Sequence, residues 1–173
     1  MATPDLPDLR LEPYGPAHVD AVQRLAPDPE NLRFTLMPDP YPADGAQTFL
    51  DLLEAAREQG TEDAFAMLLD GEVAGMCGLH DIDASGGSAE VGYWVGAPFR
   101  RRGLATRALE LLVERCRTRG LLHLRAHTIE ANTGSIRVLE GAGFELAERI
   151  PNMGRHDRWP ADALILQFRL ELG

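Results

Sequence analysis

Arg100, Arg101 and Arg102 stand in a row, Gly103 follows at once, and Leu104 and Ala105 open an apolar-periodic stretch. Those residue types at that spacing suit the holding of a bulky anion. Pro98 breaks the strand-like run that ends near Val95, and a helix is expected to begin within Arg102 to Ala105. A helix that starts straight out of a tight loop leaves backbone N–H groups without partners. Its dipole adds partial positive charge at the same end. Together they make an anion site without any charged side chain. Gly103 lacks a Cβ, so a phosphate can approach the backbone, and Ala105 keeps the next position small. The arginines add Coulomb attraction and planar donors that fit phosphate oxygens. A bare arginine run would read as a solvated basic patch; the strand–Pro–Arg–Gly–small–helix context favours a phosphate or pyrophosphate. Neither GxxxxGK[ST] nor GxGxxG is present.

His123 and His127 share one face of a strand, but four residues at about 3.3 Å each put them about 13 Å apart. They cannot share a metal ion, and no metal is expected. Cys77 and Cys116 fit neither a zinc motif nor a disulfide framework and read as buried thiols. His80, with Asp81 and Asp83, is expected in a surface turn, and Tyr93 and Trp94 as core aromatics.

The elements that must carry these residues follow from periodicity. LRLEPY (9–14) alternates as a strand, and a short helix follows through His18 to Leu25. Residues 27–42 hold five prolines and are expected to form an irregular loop. GAQTFLDLLEAAREQG has helical spacing with Gly60 as its stop. EDAFAMLLDGEVAGMCGLHDID gives two apolar runs joined by Asp70-Gly71, a hairpin signal. A turn at Ser85, Gly86 and Gly87 leads to the strand AEVGYWVG. The next stretch is amphipathic, with Leu104, Ala108, Leu111, Leu112 and Cys116 on one stripe, and Gly120 ends it. LLHLRAHTI then reads as a strand parallel to AEVGYWV, joined by a right-handed crossover. Asn132 opens a short helix, and FELAERI and ADALILQFRL close the chain as strands. The order is that of a mixed α/β (α+β) sheet flanked by helices. Residues 8–171 are expected to form a single domain, and the Pro-rich residues 1–7 a flexible lead-in.

Composition sets outer limits. The 173 residues are 45% apolar and 25% charged, with Lys plus Arg at 17, Asp plus Glu at 27 and a net charge of −10. The acidic balance argues against a nucleic-acid partner and is compatible with a cationic small partner. No signal peptide and no run near the ~18 apolar residues of a membrane span is evident, so no membrane partner is expected and a cytoplasmic location is the default.

Read as R-x-x-G-x-A, Arg100 to Ala105 resembles the acyl-CoA loop of the GCN5-related N-acetyltransferases. AEVGYWV before the loop, the helix after it, and N-T-G-S followed by G-F (Asn132 to Phe144) are similar to the subgroup that acetylates ribosomal-protein N-termini and related amines. MPDPYPADGAQTFL is also similar to that subgroup. The resemblance covers roughly residues 8–171. It implies a mixed, mostly antiparallel seven-stranded sheet, splayed where two central parallel strands part to admit pantetheine. It implies acetyl-CoA as co-substrate, with no metal, and direct transfer to a primary amine of a small molecule or peptide. A homodimer is common among similar proteins. The cofactor positions it implies are the backbone near Trp94 and Val95 for the pantetheine amides. For the pyrophosphate they are the backbone donors within Arg101, Arg102, Gly103, Leu104, Ala105 and Thr106, with charge from Arg100 and its neighbours.

Acetyl transfer needs an amine deprotonated, an oxyanion stabilised and a thiolate protonated. The resemblance points to Ser135 as the acid near the sulfur; its alternative role is support of the helix's first turn. Asn132 either caps that helix, contacts the cofactor, or does both. Glu90, on the central strand, is the candidate base, because a carboxylate on an apolar sheet face would have a raised pKa. It could instead be a counter-ion for the amine or a structural acceptor. His156-Asp157, in NMGRHDRW, could border the acceptor. A non-catalytic acyl-CoA-binding or sensor module on the same fold is the competing function.

Overall fold

Asp70 and Gly71 both take positive φ, 50° and 83°, the combination that a two-residue hairpin with native strand twist requires. This turn joins β2 (Asp63–Leu69) to β3 (Glu72–Asp83). The computed structural model describes residues 8–173; the lead-in expected at 1–7 lies outside the described residues. The remaining strands are β1 (Leu9–Pro13), β4 (Ser88–Val95), β5 (His123–Ile129), β6 (Glu145–Pro151) and β7 (Leu164–Glu171). The helices are α1 (Val19–Leu25), α2 (Pro29–Phe34), α3 (Gly45–Gln59), α4 (Leu104–Thr118) and α5 (Thr133–Gly141).

The seven strands form one sheet in the order β1-β2-β3-β4-β5-β7-β6. Every neighbouring pair is antiparallel except β4 and β5. That parallel pair holds register only at Ser88↔His123, Ala89↔Leu124 and Glu90↔Arg125. Beyond Glu90, β4 stays with β3 as far as Val95↔Gly75, while β5 stays with β7 as far as Ile129↔Ile165. The sheet therefore opens as a V with its apex at Glu90.

Strand alternation sends successive side chains to opposite faces. Val91, Tyr93 and Val95 pack into the core under α4 and α5, whereas Trp94 packs into a second core under α1 and α3. By the same alternation Glu90 lies on the α1–α3 face. α4 buries Leu104, Ala108, Leu109, Leu112, Val113 and Cys116. Its apolar stripe is thus wider than expected, and Leu111 lies half-buried at its edge.

The 27–42 segment departs from the expected irregular loop, because α2 lies within it. Pro29 sits at the first helical turn, where its missing N–H costs nothing. The Asp28 carboxylate caps the helix by accepting from the N–H groups of Glu30 and Asn31.

Candidate active site

The loop between β4 and α4 presents a run of backbone donors. Arg101 and Gly103 take positive φ, 61° and 73°, which turns consecutive N–H groups outward. Among the described residues, none of the N–H groups of Arg101 to Thr106 has a protein acceptor; the first inward bond of the helix runs from Arg107 N–H to Gly103 O at 3.1 Å. A Cβ on Gly103 would meet no atom within 4 Å, so the space before it is open. The buried Leu104 side chain anchors the helix start while its N–H stays free. This donor array at the positive end of a 15-residue helix fits a pyrophosphate.

The three arginines divide. Arg100 was expected to lend charge to the anion, but its guanidinium turns inward. It donates to Val95 O (3.1 Å), Asp28 Oδ2 (2.5 Å) and Asn31 Oδ1 (3.0 Å), and pairs with Glu30 Oε2 (2.9 Å). Two carboxylates offset its charge. Burial pushes the Asp28 carboxyl up, but hydrogen bonds from Arg100 and two backbone N–H groups outweigh that and hold it below the usual carboxylate range. Arg102 donates to Pro98 O and lies over the Phe99 ring. Arg101 has no ion pair or hydrogen bond among the described residues and is exposed.

The edge of β4 beyond Glu90 faces the splay. Gly96 N–H donates to Ala74 O on β3 (2.8 Å), which fixes the parity of the ladder. The amides of Gly92 and Trp94 point to β3, and those of Tyr93 and Val95 point into the opening. Trp94, expected near the pantetheine, turns its amide to β3; the amides that face the opening are those of Tyr93 and Val95. The Val95 carbonyl is already taken by Arg100, which leaves its N–H. A cleft of about 1060 Å³ runs from the donor loop through this opening to Glu90, His80, His127 and Trp159.

Glu90 sits at the apex of the V. His127 Nδ1 hydrogen-bonds its Oε1, and His80 Nε2 lies 3.5 Å from the same oxygen. His80 is on β3 directly opposite Glu90, half-buried, and not in the surface turn expected for it. The raised acidity constant expected for Glu90 is also overturned. Burial does push it up, but hydrogen bonds to His127 and His80 outweigh burial and hold the carboxyl far below the ordinary range. The hydrogen bond to Glu90 raises His80, and burial opposes it. Glu90 is a fixed anion between two imidazoles.

On the opposite face, Asn132 Oδ1 accepts from Ser135 N–H (3.2 Å) and caps α5. The Tyr93 hydroxyl lies 2.6 Å from Ser135 Oγ. Burial pushes Tyr93 up to about 12, with the Ser135 bond opposing. Tyr93 is therefore more than a core aromatic: it ties β4 to α5 across the cleft.

The far wall of the cleft is built by α2 and the loop 152–163, whose importance spacing does not reveal. Asn152 is fully buried. Its Nδ2 donates to His156 O, Trp159 O and Pro160 O, and its Oδ1 accepts from His156 N–H. So shaped, the loop reaches back to α2: Arg158 donates to Leu32 O, Thr35 O and Met37 O, and Trp159 Nε1 to Arg33 O. His156 stacks on His127 (5.4 Å between centroids, 23°) and leans on Trp159 (4.3 Å). The loop lines the cleft through Trp159, with His156 packed behind it.

The acetyltransferase (GNAT) domain family matches residues 8–145. An L-methionine sulfoximine/L-methionine sulfone acetyltransferase of Pseudomonas paraeruginosa is 31% identical over 123 residues, 68% of this chain and 70% of that protein. Among solved structures, the ribosomal L7/L12 alpha-N-protein acetyltransferase RimL in complex with coenzyme A superposes with a TM-score of 0.85 at 17% identity, covering 94% of this chain and 93% of the other. The spermidine N-acetyltransferase of Vibrio cholerae, in complex with CoA and spermine, gives 0.82 at 14% identity and covers 95% of each chain. The seven-stranded splayed sheet is the fold they share. No helix among the described residues is long and apolar enough to cross a membrane.

Proposed function

The chain belongs to the GNAT acetyltransferases and is an acetyl-CoA-dependent N-acetyltransferase, and we propose that it transfers the acetyl group directly to a primary amine within one ternary complex. The transferase unit is residues 8–171. The observation that carries the reading is the continuity of one cleft: free backbone donors at Arg101 to Thr106 open onto the same space as the Glu90 cluster.

The donors of the α4 start hold the pyrophosphate, with Arg101 supplying exposed charge. The N–H groups of Tyr93 and Val95 pair with pantetheine amides as an added strand would, and so lead the thioester to the apex. One of these N–H groups, aimed at the carbonyl oxygen, stabilises the negative charge that builds there. Ser135 Oγ lies on the α4–α5 face and donates to the departing sulfur, itself backed by the Tyr93 hydroxyl. Capping by Asn132 fixes Ser135 at the positive end of α5, where a helix dipole favours a thiolate. The amine enters from the opposite face, past α2 and Trp159. Glu90, held ionised, attracts it and orients the imidazoles beside it. The wall at Trp159, Leu36 and Phe34 gives the acceptor's body an apolar surface.

The relatives' acceptors span a protein N-terminus, a polyamine and an amino-acid analogue, so the test is a panel. Free thiol released from acetyl-CoA is followed with spermidine, L-methionine sulfoximine and a peptide with a free N-terminus. Amine-dependent thiol release is expected with one or more of them. Tight CoA binding with release independent of every amine would leave an acyl-CoA-binding module instead.

A further inference from the structure

We propose that His127 accepts the proton of the attacking amine, with Glu90 as its positioning residue; this rests on the transferase reading above. The geometry separates the two imidazoles beside Glu90. His80 lies 3.5 Å from the carboxylate through Nε2, and its ring stands over Gly92, with Cε1 and Nδ1 3.5 and 3.8 Å from where a Cβ would be. His127 turns Nδ1 to Glu90, and its Nε2 has no hydrogen-bond partner among the described residues. An ionised carboxylate accepts and cannot donate, so Nδ1 must carry the hydrogen. In the neutral ring the lone pair is then on Nε2.

His127 also lies on the strand that swings away. Its neighbour Arg125 makes the last parallel pair with Glu90, so two residues further on the ring stands at the mouth of the splay. Stacking on His156, which leans on Trp159, holds the plane of the ring. The groups facing this cluster are His80, Asp81 and Glu62 from the β2–β3 side and His156 and Asp157 from the loop 152–163. Burial and the neighbouring His127 hold His156 below the usual histidine value, so it stacks as a neutral ring near neutral pH. In the transfer, the amine lone pair forms the N–C bond and one N–H proton passes to Nε2. The C–S bond breaks with its electron pair on sulfur, and the imidazolium returns its proton to water.

Two readouts on the full chain test this. Imidazole ¹H–¹⁵N correlation spectra of the wild-type protein, with His127 identified by its loss in His127→Gln, are expected to show the Nδ1–H tautomer. An Nε2–H tautomer would overturn the assignment without any activity assay. Thiol release is measured against pH with the spermidine, L-methionine sulfoximine and peptide probes. His127→Gln is expected to lower kcat by about 100-fold or more, the range of a positioned general base, to leave KM for acetyl-CoA unchanged, and to abolish the acidic limb. Glu90→Gln is expected to lower kcat with KM for acetyl-CoA unchanged and to mix the two His127 tautomers, since a carboxamide can donate as well as accept. A His127→Gln enzyme with near-wild-type kcat and an intact acidic limb contradicts the proposal. If wild-type protein turns over none of the three probes, the transferase reading is what fails, and the tautomer alone decides the His127–Glu90 pair.

Discussion

Replacing Arg100 by Met separates a clamp from a phosphate ligand. The Arg100 side chain is about one quarter exposed and Asp28 less so, whereas Glu30 is 56% exposed. The Glu30 pair is therefore screened and contributes little. The bonds to Asp28, Asn31 and Val95 are sheltered. A fully buried pair broken on one side costs about 3–5 kcal/mol, and a net charge-assisted hydrogen bond contributes about 1.5–3 kcal/mol. For this half-sheltered site we expect a loss of about 2–3 kcal/mol. At about 2–4 °C per kcal/mol for a chain of this size, Tm should fall by about 5–10 °C. Calorimetric melting and titration with CoA read the two effects apart. Arg100→Met should lower Tm, raise the acceptor KM by loosening α2, and change CoA affinity less than about threefold. Arg101→Met should do the reverse: no change in Tm, and weaker CoA binding that disappears at high salt. An unchanged Tm with about tenfold weaker CoA binding in Arg100→Met would refute the clamp.

Gly103→Val places a β-branched residue at φ 73° in open space; strain of about 1–2 kcal/mol is expected, with the fold retained and CoA affinity, read by titration, reduced at least about tenfold. Asn152→Ala leaves Trp159 O and the His156 N–H without their partner, so a loss of about 2–4 kcal/mol in urea melts and a raised acceptor KM should appear together. Ser135→Ala removes one neutral hydrogen bond at the sulfur, about 1–1.4 kcal/mol, or close to tenfold in kcat. Stability against pH follows from the Glu90 cluster. Glu90 is depressed, so its contribution is present above the ordinary 4.5 and fades as pH falls through its folded value. His80 is raised, so its contribution is present below 6.5 and fades as pH climbs through its folded value. The stability gap between wild type and Glu90→Gln should therefore be widest between those two ordinary values and narrow on either side; a gap constant with pH contradicts the pairing.

Elements whose order follows from local chemistry were readable in the chain. The Asp70-Gly71 hairpin, the Gly60 stop, the α4 stripe and the Asn132 cap each depend on neighbours within a few residues, and each forms as its residue types dictate. The donor loop was readable for the same reason, since it needs only a strand end, Gly103 and a helix start. Readings failed where a partner far along the chain decides. Arg100 looked like a phosphate ligand because Asp28, 72 residues away, is invisible to spacing. A raised pKa was expected of Glu90 because the two histidines that lower it come from β3 and β5. α2 was hidden by a proline count that ignored where Pro29 falls. Asn152 carries no spacing signature, and its importance appears only once the loop closes on it. Which β4 amides face the opening turns on one residue of strand parity, which the Gly96 bond fixes and the sequence does not.

The acetyl group passes straight from acetyl-CoA to the amine, with no acyl-enzyme between. Both cysteines are unsuited to carry it: Cys77 and Cys116 are buried, and burial pushes their thiols up to about 12 and about 11. The most direct measurement is intact-protein and small-molecule mass spectrometry after mixing the protein with isotope-labelled acetyl-CoA, with and without the best amine of the panel. Direct transfer leaves the protein unmodified in both mixtures and yields labelled N-acetyl amine only when the amine is present. Label on the protein that chases into the amine, or label released only as acetate, would contradict it.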